Sequence, residues 1–434
     1  MQETGSTPRP AKKPVWAVQT TCPVPNEHDV LRVFMEGAKA LNRSTAEIKA
    51  PSLEPVDMEW VGHCTTKTKS AIKEVGISPE KQYQGLLQDT SASTIFHLHG
   101  GAFIFGSPAA SQVITAKLSC MTSARCVSVN YRLSPQHTFP AALLDVLLAY
   151  LTILYPPPSS IHEPVPHSSI IFTGDSAGGC LCLALLQVIL HFQRTSTRTI
   201  RFHGRNVTIP APAGVACLST YGDQTLSLPS WMDNKKYDYF LDAAPYALPG
   251  YPSCDIWPAS PPRANIYCND FLLCHPWVSP TIAESWNGSP PMWLACGEER
   301  MADSSKVIAQ RAAKQGVTVV WEQYEAMPHC FPLIPVLNEL PQGKRCFRGW
   351  AEFMKICFED PSELTTKGTF VAAKTAKETE VPCSEVIDLE FGEVTWRMKA
   401  AMLAVEASFS KWNHEAAKEQ NGNAREAIPI ASGI

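Results

Sequence analysis

Short apolar runs punctuate the middle of the chain at residues 94–98, 126–131, 170–173, 214–219, 292–296 and 317–323. Each has the length of a strand, is rich in aliphatic and β-branched residues and lacks a helical period, so each is predicted to be a buried strand. Stretches of helical length separate them, such as the helix-like segment at 179–190. Strand, helix and strand in alternation predict an α/β fold with a mostly parallel, doubly wound sheet over residues 91–355. The rhythm breaks between about 221 and 286, where Trp231, Tyr237, Tyr239, Phe240, Tyr246, Tyr251 and Trp257 mix with prolines. That composition predicts a cap inserted into the core. Residues 1–90 begin with a Pro-rich leader and continue into helix-like stretches such as 29–41, expected to join the cap. Residues 356–434 are a polar extension with one amphipathic helix predicted at 394–412.

Composition narrows the function classes. A chain of 434 residues with 45% hydrophobic content buries a large core, and a net charge of −4 leaves no electrostatic footprint for nucleic acid. Arg194, Arg198, Arg201 and Arg205 cluster, but in a polar stretch that reads as solvated surface. Fifteen cysteines follow an N-terminus with no apolar signal core, so they are expected to be reduced in a cytoplasmic protein, with several packing as small apolar residues. Their spacing suggests no metal site, no cofactor-cradling loop occurs, and no run of 18 apolar residues predicts a membrane span. The oligomeric state is left open.

The chemistry starts at Gly174-Asp175-Ser176-Ala177-Gly178, between the strand at 170–173 and the helix that follows. A Gly-x-Ser-x-Gly turn joining strand to helix is a nucleophile elbow: small residues let the chain turn sharply and present the serine hydroxyl to a cleft. Upstream, the strand at 94–98 runs into His99-Gly100-Gly101-Ala102-Phe103. Its glycines can expose the Gly100 and Gly101 amides, which with the amide of Ala177 would bind the oxyanion of a tetrahedral intermediate. A serine hydroxyl needs a base, and the base a carboxylate, following the serine in the order acid then histidine. His275, His329 and His414 are the downstream candidates. His329 is best placed, in a loop after the strand at 317–323. The acid is expected at the end of the strand at 292–296, where Glu298, Glu299 and Asp303 compete.

These motifs, with Tyr131-Arg132-Leu133-Ser134-Pro135, Phe139-Pro140-Ala141-Ala142 and Met327-Pro328-His329-Cys330-Phe331, closely resemble the hormone-sensitive-lipase-like family of α/β-hydrolases. The match runs over about residues 60–355, and His275-Pro276-Trp277-Val278-Ser279-Pro280 resembles its fungal branch. The resemblance implies an α/β-hydrolase fold with a helical cap and a serine esterase acting on a hydrophobic small-molecule ester, such as a lipid or secondary-metabolite ester, without cofactor or metal. The family's Asp-x-x-x-Asp pattern aligns its second Asp with Asp303 and so puts Glu299 at the catalytic acid, a Glu in place of the usual Asp. Ala102 stands where many relatives carry a third glycine. Phe103, Trp277 and Trp286 are candidates to line the substrate pocket. Acyl transfer to an alcohol, lactonisation or amide cleavage would use the same triad, and a catalytically dead, ligand-binding relative is the alternative of a different class.

Overall fold

A computed structural model describes residues 2–8, 15–65, 68, 77–195, 199–242, 255–257, 259 and 263–419. The central strands are β3 (Ser91–Leu98), β4 (Ala124–Val129), β5 (Ile170–Asp175), β6 (Gly214–Leu218), β7 (Met292–Gly297) and β8 (Val319–Tyr324). They lie at the predicted runs. β5 is buried at every position because helices cover both faces of the sheet, so no polar alternation is needed.

Four further strands enlarge the sheet: β1 (Val15–Cys22), β2 (Val56–His63), β9 (Lys367–Val371) and β10 (Glu378–Val381). The order across ten strands is β1-β2-β4-β3-β5-β6-β7-β8-β9-β10. Pairing is antiparallel between β1 and β2, β2 and β4, and β9 and β10, and parallel elsewhere. Two expectations are thereby corrected. Residues 1–90 hold two sheet strands rather than only a leader and cap helices, and 356–434 add two more. The misreading has one physical cause. β1 buries only alternate residues, Trp16 and Val18 among them, β2 carries Asp57 and Glu59, and β10 is mostly exposed, so none shows a continuous apolar run.

One face of the sheet carries α2 (Pro79–Asp89), α4 (Ala141–Leu154), α5 (Ala177–Arg194) and α6 (Ala302–Lys314); the other carries α3 (Gln112–Thr122) and α7 (Pro341–Glu359). α5 has the length of a membrane span, but Gln187, His191, Gln193 and Arg194 interrupt it, so it is not an unbroken run of 18 apolar residues. Its apolarity is that of a core helix, packed between the sheet and the segment bearing Trp277 and Trp286.

α1 (Asp29–Leu41) forms where predicted, with Asp29 in its first turn and an Arg32–Glu36 pair one turn apart. It does not cover the serine. It packs against α5 and the hairpin Ile200–Phe202/Arg205–Val207, and a Cβ at Gly37 would lie 2.8 Å from the Trp277 indole. α8 (Phe391–Glu419) contains the predicted C-terminal helix and buries Val394 and Met398. Between 221 and 286 the described residues form short helical turns and loops, including Ser230–Asp233 and Lys235–Tyr237; Tyr246 and Tyr251 lie outside the described residues. The described cysteines are all free and mostly buried.

Candidate active site

Between β5 and α5 the chain passes through Ser176 at φ 52° and ψ −118°. A non-glycine residue there stores about 1–3 kcal/mol of strain, and its neighbours must leave it room. A Cβ at Gly178 would lie 2.0 Å from the Leu98 carbonyl oxygen, and one at Gly174 would lie 2.5 Å from the carbonyl carbon of Gly178. The turn is pinned by the Ser176 N–H donating to Leu218 O at 3.0 Å and by the Tyr221 N–H donating to Ser176 O at 3.1 Å. Ser176 thus sits at the carboxyl end of the central strands and the N-terminus of α5, where the helix dipole favours developing negative charge.

His329 occupies the turn after β8, between two residues in left-handed conformation, Ala326 (φ 54°) and Cys330 (φ 50°). Its Nδ1 lies 3.3 Å from Oε1 of Glu299, which follows β7 and is completely buried. The other oxygen, Oε2, accepts the Ser219 hydroxyl at 2.7 Å and the Gly297 N–H at 3.4 Å. Ser219 Oγ in turn accepts the Cys330 N–H at 2.9 Å, so one hydroxyl ties the acid to the histidine turn. Neither competing carboxylate reaches the imidazole. Glu298 accepts the Ala326 N–H at 2.9 Å, and Asp303, in the first turn of α6, accepts the Ser230 N–H at 2.8 Å. His329 Nε2 is buried without a hydrogen-bond partner among the described residues, an acceptor position left open. Burial by itself would push the imidazole pKa down; the Glu299 carboxylate, helped by Asp238 and Asp175, outweighs it and holds the pKa above the ordinary value. The other candidate histidines are placed elsewhere. His275 bonds Ala38 O at 2.9 Å and accepts the Trp277 N–H at 3.1 Å as a buried structural residue, and the side chain of His414 lies outside the description.

The loop after β3 carries the glycines. Gly101 (φ 118°), Ala102 (φ 50°), Phe103 (φ 63°) and Gly106 (φ 104°) all take positive φ, and Ala102 holds that backbone without being glycine. His99 anchors the loop: its ring stacks on Tyr131 at 4.2 Å, and the Tyr131 hydroxyl donates to His99 O at 2.6 Å. The Asp175 carboxylate lies close against Gly100, where a Cβ would fall 2.1 Å from Oδ2, and the Gly101 and Ala177 amides meet no acceptor among the described residues. Burial raises Asp175 to about 6, against the lowering effects of His329 and the Gly100 amide.

The aromatic candidates divide differently. Phe103 sits on the glycine loop with its ring stacked on Tyr267 at 3.7 Å. Trp277 packs on Phe34 at 5.3 Å, and Trp286 lies in the same core cluster. All three are at most 1% exposed, which corrects their assignment as pocket-lining residues: they are packed against protein on every side. The aromatic groups beside the histidine are Phe240 and Tyr239, with ring centroids 4.9 Å and 6.3 Å from the imidazole. A cavity of about 610 Å³ lies at the far end of α5, lined by Gln187, His191 and Arg194. At 1.5 Å rise per residue that is roughly 17 Å or more from Ser176, so it is not the serine's cleft. Ser219, Asn234 and Arg300 have no signal in the sequence, and Phe240 shows there only as one of the cap aromatics, because each acts on a partner distant in the chain.

A serine on a strand-to-helix elbow, at the carboxyl edge of a mostly parallel sheet in this order, defines an α/β-hydrolase. The profile of the Abhydrolase_3 family, described as alpha/beta hydrolase fold, matches residues 95–333, and the chain belongs to that family. It is 26% identical to an acetyl-hydrolase of Streptomyces hygroscopicus over 303 residues, 69% of this chain and 83% of that protein. With an esterase of Acinetobacter venetianus it shares 27% identity over 269 residues, 61% of this chain and 76% of the relative. Both relatives are bacterial and neither bears on the fungal branch. Among solved structures, EstE5 soaked with p-nitrophenyl butyrate matches with a TM-score of 0.51 and 22% identity, covering 76% of this chain and 92% of that one. An esterase from the bacterial hormone-sensitive lipase family matches with a TM-score of 0.50 and 21% identity, covering 76% and 98%. These likenesses speak for the fold.

Proposed function

We propose that this carboxylic ester hydrolase works through an acyl-enzyme on Ser176, with His329 as general base and Glu299 as the carboxylate that orients it. The observation that carries the reading is the buried Glu299–His329 contact at 3.3 Å, which turns Nδ1 to the acid and leaves Nε2 unpartnered. Glu299 holds the Nδ1–H tautomer and stabilises the imidazolium, so that Nε2 takes the Ser176 proton as Oγ attacks the ester carbonyl. The Gly100, Gly101 and Ala177 amides bind the oxyanion. His329 then passes the proton to the leaving alcohol. Water, activated by the same imidazole, releases the acid and frees the serine.

The substrate is a small-molecule ester with an apolar group beside His329, a reading supported by Phe240 and Tyr239 at the imidazole. The test combines turnover of p-nitrophenyl acetate with a serine-directed phosphonate whose adduct is mapped by mass spectrometry. Turnover, an adduct on Ser176 and loss of both in Ser176→Ala are expected. An adduct elsewhere, or full activity in Ser176→Ala, overturns the reading.

A further inference from the structure

The residue after the candidate acid is Arg300, whose side chain has no solvent exposure. Burying a guanidinium costs several kcal/mol unless its donors are satisfied. Here every bond of the fork goes to one segment, residues 231–242. Nε donates to Trp231 O at 2.6 Å, one terminal nitrogen donates to Phe240 O at 3.0 Å, and the other pairs with Asp242 Oδ1 at 2.9 Å. The guanidinium also lies 4.0 Å from the centre of the Trp231 ring, a cation–π contact on the same segment. The backbone repeats the pattern. The Arg300 N–H donates to Asp238 Oδ2 at 2.8 Å, its carbonyl accepts the Ser230 hydroxyl at 2.9 Å, and Glu299 O accepts the Asn234 side-chain amide at 2.9 Å. The acid-bearing turn and the segment above it are therefore laced together, and the end of that segment sets Phe240 edge-on to His329, 4.9 Å between centroids at 64°.

We propose that Arg300 is a positioning residue for specificity: it fixes the height of Phe240 above His329 and thereby selects which ester groups fit beside the imidazole. The proposal rests on the acyl-enzyme reading. A planar fork suits this task because its three nitrogens reach two carbonyls and a carboxylate along one strip of chain, which a lysine ammonium cannot match. Without the fork Phe240 loses its register, and an ester whose bulk touches that ring loses contact while an acetyl group does not.

The test compares KM for p-nitrophenyl acetate and p-nitrophenyl hexanoate in the wild type, Arg300→Met, Phe240→Ala and the double variant. The hexanoate-to-acetate KM ratio is expected to rise about tenfold in each single variant, the scale of one lost aromatic contact. In the double variant it is expected to rise no further, because Arg300 acts through Phe240. The acid limb of kcat/KM, which reports His329, is expected to stay in place. Should Arg300→Met not fold, Arg300→Lys and Asp242→Asn carry the same comparison, since both keep a polar group where the fork was anchored. Additive effects of the two substitutions, an unchanged ratio, or a kcat that falls equally on both esters would overturn the proposal; the last would make Arg300 a support for Glu299 alone. Failure of the acyl-enzyme reading shows separately, as a wild type that turns over neither ester and takes no phosphonate on Ser176.

Discussion

Glu299→Gln isolates the contact on which the catalytic reading depends. The substitution keeps the volume of a side chain with no exposure but removes its charge 3.3 Å from His329 Nδ1. At an effective dielectric of about 20, a carboxylate and an imidazolium at that distance attract by about 5 kcal/mol, a factor of roughly 10³–10⁴ in a rate that passes through the imidazolium. The tautomer fails as well. The Ser219 hydroxyl and the Gly297 N–H both donate to Oε2, so the new amide places its oxygen there and turns its NH₂ toward Nδ1. That forces the proton onto Nε2, the atom that must accept one. kcat for p-nitrophenyl acetate is expected to fall by about 10³–10⁴, whereas Glu298→Gln and Asp303→Asn, which bond only backbone N–H groups and Lys306, keep most of it. The residual activity carries a second signature. With Glu299 gone, burial dominates and the His329 pKa falls, so the acid limb of kcat/KM moves to lower pH. Stability moves the opposite way in the wild type. Because the folded-state pKa is raised, the stability this histidine contributes is present below its ordinary value of 6.5 and is lost as pH rises through the raised one, just as activity appears. A Glu299→Gln enzyme with more than a tenth of wild-type kcat, or an Asp303→Asn enzyme with none, would refute the assignment.

Ser219→Ala removes the hydroxyl shared by Glu299 and the Cys330 N–H; a stability loss of about 1–3 kcal/mol in denaturant titration, with a lower kcat, is expected, and a variant unchanged in both would show the bridge to be incidental. Gly178→Ala would put a methyl group 2.0 Å from Leu98 O and is expected to lower Tm sharply or abolish folding, whereas Gly392→Ala, with nothing within 4 Å, stays at wild type or rises by up to about 1 kcal/mol; equal melting curves would mean that the elbow has slack. Trp277→Ala is expected to cost about 3–5 kcal/mol in urea unfolding with no change in the KM ratio of long to short esters, and a KM effect without destabilisation would return this residue to the substrate pocket.

What the chain reveals by itself is whatever its chemistry demands of adjacent residues. A serine held at positive φ requires glycine at 174 and 178, so the elbow is written contiguously, and strands buried on both faces declare themselves as unbroken apolar runs. The edge strands did not, since half-buried strands carry polar residues on their open side, as β10 does. Nor could the chain say which of Glu298, Glu299 and Asp303 meets His329 without the family pattern, because all three lie within about one turn and the choice depends on how the ends of β7 and β8 face each other. Trp277 and Phe240 read alike as aromatic residues of one insertion; only packing places the first against Phe34 and the second against the imidazole. Ser219 reaches partners 80 and 111 residues away, and Arg300 reaches a carbonyl 69 residues before it. Contacts that long leave no period in the sequence, and they exist only once the sheet has brought the ends of its strands together.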